Sequence, residues 1–322
     1  MLRRVLLAFA ALLLVIGVPL LVAPWFGIGS PRGSPVTITA RKGASLAAVS
    51  EDMERAGLVD SPRQFRLLAR LFGGAAPVQA GTYKLIPGDA WRHYLAIMQD
   101  GRVERLALTI PEGMPSVLVA ERLRAETRLS GAVTVPAEGS VLPETYDFTP
   151  GEPRAAVLAR MQTAMTKTVA VLWPGRTARS VVKRPEQAII LASIVEKETG
   201  KAAERRQVAG VYGNRLAQGM KLDADPTVIY PITKGKPLGR RIRRSELDAD
   251  TGYNTYLKPG LPAGPIANPG RASIAAVLDP AQTDALFFVA DGSGGHVFAA
   301  TLAQHNANVA KWYALRRKRG EM

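Results

Sequence analysis

The 322-residue chain contains no cysteine, which excludes disulfides, zinc-thiolate sites, iron-sulfur clusters and thiol nucleophiles together. Its fold must rest on burial alone. Histidine is nearly as scarce: His93, His296 and His305 are the only imidazoles, and no His-Glu-x-x-His spacing occurs. Neither a metal-dependent mechanism nor a cofactor is therefore expected. No internal repeat of the solenoid kind is present. Acid is in short supply too, with 27 Asp and Glu against 42 Lys and Arg for a formal charge of +15. That balance favours an anionic neighbour: a membrane surface, a cell-wall polymer or nucleic acid.

What the chain does have begins at its N-terminus. After "MLRR" an uncharged, mainly apolar stretch, "VLLAFAALLLVIGVPLLVAPWFGIG", runs from Val5 to Gly29. At ~1.5 Å per residue it can span ~30 Å of hydrocarbon. Arg3 and Arg4 precede it and by the positive-inside rule stay in the cytoplasm. Trp25 and Phe26 suit the far interface. A cleaved signal peptide would have an apolar core of ~7 to 15 residues followed by a small-x-small site. This run is longer and lacks a convincing site. The expectation is an uncleaved single-pass transmembrane anchor over 5–28, with a cytoplasmic tail 1–4 and the linker "GSPRGSP" at 29–35. Such an anchor carries the body away from the cytoplasm, so nucleic acid is not an expected partner.

The length allows two domains beyond the anchor, by the usual size of roughly 100 to 200 residues each. From 36 to 105 the pattern is strand at "VTIT", helix at "SLAAVSEDMERAG", helix at "SPRQFRLLARLFG" and strand at "GTYKLI". This βααβ module is similar to LysM-like domains, which bind wall glycan; a spacer without a ligand is the alternative. A second domain, 106–322, reads as mainly helical with small β elements. It holds long helices at "EPRAAVLARMQTAMTKTVAVLW" and "ERRQVAGVYGNRLAQG", a loop-rich region from Met220 to Pro269, a hairpin from "DALFFVADG" to "HVFAA", and a final helix. The expected class is α+β. A loop region of that length inside a domain is functional or disordered, and its aromatic content favours function.

"LASIVEKETG", Leu191 to Gly200, carries Glu196 and Glu198 at the end of an apolar stretch. The spacing predicts a helix that opens at Pro185 and closes at Gly200 in a left-handed cap. Glu198 then lies in line with Val195, Ile194 and Leu191, whereas Glu196 lies with Ala192 and Ser193. A carboxyl on the apolar stripe loses water, and the helix dipole also opposes its charge, so its pKa should rise toward neutrality. Such a group suits a general acid that later serves as base. The alternative is a hydrated helix end with both glutamates exposed.

Four stretches, "LASIVEKETG", "GVYGNRLAQGMKLDADPTVIY", "GYNTYLKPGLPAGPIANPG" and "FVADGSGGHVFAATLAQHN", occur in an order that resembles the motif series of the YceG-like family, the endolytic murein transglycosylases. The resemblance runs from the anchor to the last helix. It implies a lysozyme-like catalytic domain that cleaves the β-1,4 bond between MurNAc and GlcNAc within peptidoglycan strands, leaving 1,6-anhydroMurNAc ends. It also implies a place on the periplasmic side of the cell inner membrane and coupling to penicillin-binding proteins during elongation. The Glu-Thr pair at Glu198 and Thr199 is similar to the Glu-Ser pair of lysozyme-like transglycosylases, which favours Glu198 as the catalytic acid. Departures stand at Ser140 and Leu142, where family members tend to carry aromatics, and at Asp223, where an uncharged polar residue is common.

An ordinary glycosidase needs two carboxyls. A lytic transglycosylase needs one, because the muramic acid 6-hydroxyl is the nucleophile and proximity supplies much of the rate. Asp225 is the candidate second carboxyl or substrate ligand, with an Asp-Pro turn or cap as its structural alternative. Tyr230, Tyr253, Asn254 and Thr255 offer ring faces and hydrogen bonds for sugar binding, or packing anchors. Asn268 opens "NPG", expected as part of a rigid cleft wall. His296 and His305 are read as structural, with hydrogen bonding to substrate as the alternative. "KGKPLGRRIRR", Lys234 to Arg244, is either a solvated hairpin or a contact for lipid headgroups or acidic stem peptides. A water-using muramidase and a non-catalytic wall-binding scaffold are the competing functions.

Overall fold

The computed structural model describes residues 13–29 and 32–321. By internal contacts the chain divides into two units, Met1–Leu106 with Asp147–Pro150, and Ala107–Tyr146 with Gly151–Met322. The class is α+β.

The apolar N-terminal segment does not continue as the one long helix that its sequence predicts. Residues 5–12 of the expected anchor lie outside the described residues. Beyond the wide turn Leu13–Gly17, helix α1 (Val18–Val22) gives way to a tight 3-10 turn at Ala23–Phe26, closed by Gly27 at φ 74°. Pro24 has no amide hydrogen with which to extend α1, and Gly27 adopts the left-handed conformation without a Cβ clash. Trp25, expected at a membrane interface, is buried in the core of the first unit, its ring 6.4 Å from Phe65 and 6.3 Å from Phe72. Among the described residues no helix is long and apolar enough to cross a membrane.

In the first unit, β1 (Val36–Ala40) pairs antiparallel with β2 (Gly81–Leu85), from Val36 opposite Leu85 to Ala40 opposite Gly81. Between them lie α2 (Leu46–Arg55) and α3 (Pro62–Phe72). Ser45 caps α2 by accepting from the Ala48 amide, and Ser61 caps α3 by accepting from Gln64, with Pro62 in the first turn. A further helix, α4 (Trp91–Gln99), extends the order to βααβα. Its buried Trp91, Tyr94, Leu95 and Met98 recur at helical spacing and complete a core with Met53, Phe65, Leu68 and Tyr83.

Strands β3 (Leu106–Thr109) and β4 (Thr145–Phe148) form a pair, and the division between the units falls within both strands, after Leu106 and after Tyr146; the remaining elements belong to the second unit. The helices are α5 (Ser116–Ala125), α6 (Arg154–Leu172), α7 (Pro185–Glu198), α8 (Arg205–Ala217), α9 (Asp225–Thr233), the single turn α10 (Arg244–Leu247), α11 (Arg271–Leu278) and α12 (Leu302–Lys318). The hairpin β5 (Phe287–Ala290) and β6 (His296–Ala299) is antiparallel, with Phe287 opposite Ala299. The core gathers on α7, where Leu191, Ala192, Ile194 and Val195 meet Val208, Ala209 and Tyr212 of α8 and Ile274 and Val277 of α11. The region 220–269 is therefore less loop-like than its Gly and Pro content predicts, since α9 forms despite Pro231 inside it.

Helix α8 is stitched to the stretch leading into β5. Asn214 donates to the carbonyls of Thr283 and Ala285, and the Ala281 amide donates to Arg206 O. The approach needs Gly210, where an added Cβ would stand 2.8 Å from the Ala281 carbonyl oxygen. At Gly213, by contrast, the nearest atom would be 3.9 Å away. Helix propensity alone favours alanine at both positions by about 1 kcal/mol. Gly213→Ala should therefore be neutral or slightly stabilising in denaturant unfolding, while Gly210→Ala should destabilise by roughly 1 to 3 kcal/mol through overpacking. Equal effects at the two positions would refute the close-approach explanation.

Candidate active site

Helix α7 ends at Glu198, and the chain leaves it through Thr199 in extended backbone, φ −135° and ψ 129°. The left-handed cap expected at Gly200 is absent, because Thr199 and the groups beyond it fix the exit instead. The Thr199 hydroxyl accepts from the Lys201 amide at 3.1 Å and donates to Glu204 Oε2 at 3.2 Å. Glu204 in turn accepts from the His296 amide at 3.0 Å and contacts His296 Nδ1 at 2.8 Å. These bonds hold the Glu204 carboxyl below its ordinary pKa against the effect of burial. His296 is thus a structural residue tying the exit from α7 to β6.

The two glutamates meet different surroundings. The Glu196 side chain is only 4 % exposed, yet it accepts from the Gly270 amide at 2.8 Å and pairs with Arg205 at 3.4 Å. Arg205 also donates to Glu112 Oε2 at 2.8 Å. Glu198 has no such support. Its Oε1 is buried without a hydrogen-bond partner, and Tyr212 of α8 supplies a hydroxyl contact to the carboxyl. Burial pushes the Glu198 carboxyl, ordinarily near 4.5, up to about 7; the Tyr212 hydroxyl works against that rise and the charge of Asp225 adds to it. Dehydration wins because a single phenol replaces only part of the lost water.

Glu198 opens on a cleft of about 460 Å³ that Asp225, Tyr256, Arg215, Phe287 and His305 also line. A larger hollow of about 820 Å³ in the same unit, beside Arg176, Lys183 and Arg184, has no carboxyl in its lining. Asp225 sits in the first turn of α9 and accepts from the Tyr256 hydroxyl at 2.6 Å. Arg215 braces one wall, donating to Leu286 O at 2.6 Å and to Asp223 Oδ2 at 2.9 Å with its guanidinium 5.1 Å from the Phe287 ring. Asp223 adopts φ 51°, a left-handed backbone that its ion pair with Arg215 helps to hold. His305 stacks on Phe287 at 5.2 Å, and burial with the nearby Arg215 charge pushes its pKa down, so it stands neutral with Nδ1 buried and unpartnered.

Of the residues read as substrate contacts, the structure brings only Asp225 into the cleft with Glu198. Tyr230 and Tyr253 pack on each other at 4.9 Å elsewhere in the unit, and Tyr230 is hydrogen-bonded to the half-buried Glu138. Asn254 is buried and donates to the carbonyls of Leu247 and Ala249, closing the turn α10. Thr255 is buried against the Thr227 hydroxyl at 2.9 Å and accepts from the Ala224 amide at 3.1 Å. Asn268, fully buried, accepts from the Val141 amide and donates to Met114 O and Ser116 Oγ. All three hold backbone in place. Tyr212, Arg215 and Tyr256 are polar cleft residues that the sequence did not single out, and His305, expected as structural, lines the cleft with them. Tyr212 and Arg215 carry a signal in hindsight, standing at helical spacing in "GVYGNR". Among the described residues no group of His, Asp or Glu is gathered as a metal site.

The model of the YceG-like family matches residues 38–311. The chain belongs to the YceG-like family. Relatives include the endolytic murein transglycosylase of Bacillus subtilis (strain 168), 27% identical over 309 residues that cover 86% of this chain and 84% of that one. The endolytic murein transglycosylase of Streptococcus pneumoniae (strain ATCC BAA-255 / R6) is 27% identical over 86% of this chain, which spans only 58% of its length. Among solved structures, a yceG-like protein from Listeria monocytogenes aligns with a TM-score of 0.53 and 26% identity, over 85% of this chain and 99% of that one.

The acidity of Glu198 in this YceG-like chain has a consequence for folding. The folded chain keeps the proton up to about pH 7, the unfolded chain only to about 4.5. Between those values the folded state binds more protons, so stability falls as pH rises, by about 3 kcal/mol in all, and then levels off. Glu198→Gln lacks this ionisation. In urea unfolding its stability relative to the parent should improve by roughly 2 to 3 kcal/mol between about pH 5 and about pH 8. A difference independent of pH would mean that the carboxyl is hydrated.

Proposed function

We propose that this chain is an endolytic lytic transglycosylase of peptidoglycan, anchored in the cell inner membrane by the apolar N-terminal stretch that begins at Val5, with its body in the periplasm. It cleaves the MurNAc-β-1,4-GlcNAc bond within glycan strands, leaves a 1,6-anhydroMurNAc end and so terminates nascent strands. Family membership and the activity named for its relatives support the reading. The observation that carries it is the Glu198 carboxyl: desolvated, short of partners, titrating at about 7, and facing a cleft. In the same reading, residues 36–105 are a LysM-like glycan-binding module, 106–322 a lysozyme-like catalytic domain, and penicillin-binding proteins or other wall synthases its partners.

The mechanism follows from that group. Protonated Glu198 donates to the bridging oxygen as the bond from C1 of MurNAc to that oxygen breaks, and the GlcNAc hydroxyl departs. The carboxylate so formed keeps its Tyr212 hydrogen bond, while the Asp225 charge in the same cleft stabilises the positive charge developing at C1. Glu198 then takes the proton of the 6-hydroxyl as O6 closes on C1. The acid is regenerated and no water is consumed.

Asp225 also favours a second reading. A carboxylate sharing the cleft with the acid is the part a muramidase needs to activate water. Mass spectrometry of digested sacculi separates the two: 1,6-anhydro ends support the lytic reaction, reducing ends the hydrolytic one, and no new fragments a scaffold. Glu198→Gln should lose at least about a hundredfold in rate while remaining folded, as expected for removal of a general acid. Undiminished cleavage by that variant would defeat the proposal.

The pH profile tests Asp225 separately. Activity should fall as pH rises through about 7, where Glu198 loses its proton. Asp225→Asn removes a charge that raises this pKa, so the alkaline limb should move to lower pH. A limb that stays in place would show that Asp225 does not act on the acid.

A further inference from the structure

Helix α3 leaves part of its apolar surface uncovered. Phe65, Leu68 and Ala69 face the core of the first unit, whereas Leu67 is 47%, Leu71 64% and Phe72 60% exposed. Leu67 and Leu71 stand one turn apart on one face, beside the exposed Arg63 and Arg70. The incoming N-terminal segment meets α3 at Gln64 and Phe72. Gln64 Nε2 donates to Leu21 O at 2.6 Å, and the Trp25 ring lies 6.3 Å from that of Phe72. That segment also exposes apolar side chains, with Leu20 at 68%, Phe26 at 49% and Ile28 at 65%. Arg92 of α4 places its guanidinium 5.1 Å from the Phe26 ring.

Single exposed apolar residues are ordinary, but a contiguous patch built from two elements marks an interaction surface. Two features of this patch define its occupant. It is continuous in sequence with the uncharged stretch that begins at Val5, and arginines stand at its border. The occupant must therefore be apolar in its body, anionic at its edge and able to take up residues 5–12 as well. The headgroup and acyl boundary of a phospholipid bilayer meets all three requirements.

We propose that this face of the first unit lies on the bilayer surface, with Leu67, Leu71 and Phe26 seated among the upper acyl chains and Arg63 and Arg70 against lipid phosphates. The proposal rests on the membrane-anchored reading above and extends it: the anchor does not end in a free tether, and the βααβα module rides on the lipid.

The absence of cysteine makes the test direct, since any introduced thiol is unique. Full-length Leu71→Cys and Lys84→Cys proteins are labelled with an environment-sensitive fluorophore and reconstituted into phosphatidylcholine–phosphatidylglycerol vesicles with or without brominated acyl chains. Both positions are exposed, and Lys84 lies on the outward side of β2, between the buried Tyr83 and Leu85. The label at 71 should be blue-shifted and quenched by bromine at least about twice as strongly as that at 84, as for a group held in the interface. Equal quenching at both positions in protein that floats with vesicles overturns this proposal and spares the anchor. A label at 71 shielded from water yet untouched by bromine would put protein on this face and also overturn it. Protein that does not float overturns the anchored reading and the proposal together.

Discussion

The site depends on one constraint, the dehydration of a single carboxyl at the end of a buried helix. Water stabilises an ionised carboxylate by several kcal/mol more than apolar surroundings do. Helix α7 takes Glu198 out of water because most of its circumference is core, with Ala188, Leu191, Ala192, Ile194 and Val195 all buried. A helix with only one buried face could turn its last side chain outward. The last-turn position removes a further source of relief, since the backbone carbonyls there oppose negative charge. The Tyr212 hydroxyl then sets how far the shift goes, and its own burial fixes where it stands.

Glu196 shows that burial is not sufficient. It lies within one turn of Glu198, its side chain is itself only 4 % exposed, and it is engaged by Arg205 and the Gly270 amide. With the Arg205 guanidinium and the Gly270 amide on its carboxyl, Glu196 serves as a bolt between α7, α8 and the Asn-Pro-Gly turn. The two carboxyls divide their roles by the partners the fold supplies. This division also explains the crowding at Gly270, where a Cβ would meet Glu112 Oε1, the other acid on Arg205.

In the sequence Glu198 was distinguished from Glu196 by an apolar stripe and by the Glu-Thr resemblance, and the stripe captures only part of what sets the two carboxyls apart in the fold. Ala192 and Ser193, taken as the side of Glu196, are as buried as Leu191. Pattern reports which positions are apolar; it is silent about Arg205, which arrives from another helix. The same limit explains the sugar contacts. Asn254, Thr255 and Asn268 stand in a Gly- and Pro-rich stretch where polar side chains look available to a ligand. In the fold they are consumed by backbone groups that irregular chain leaves without partners. Local chemistry was more readable: Ser45, Ser61 and Pro185 mark helix starts where caps and proline predict them. Helix α4 was missed although Trp91, Tyr94, Leu95 and Met98 carry its period, because the reading closed the module at its second strand.

The first unit corrects the N-terminal reading in a way that bears on mechanics. A segment read as anchor followed by linker supplies Trp25 to a folded core, between Phe65 and Phe72 and close to the ring cluster that includes Trp91. An indole with that burial contributes about as much apolar area as any residue of the unit, so the turn at Ala23–Phe26 is part of the module's fold. Pulling on the apolar stretch would therefore load the core of the unit before it loaded the linker. A tether of glycine and serine transmits no orientation, whereas a packed tryptophan does. The orientation of the segment on the module is accordingly fixed by Trp25 and Gln64, which join it to α3.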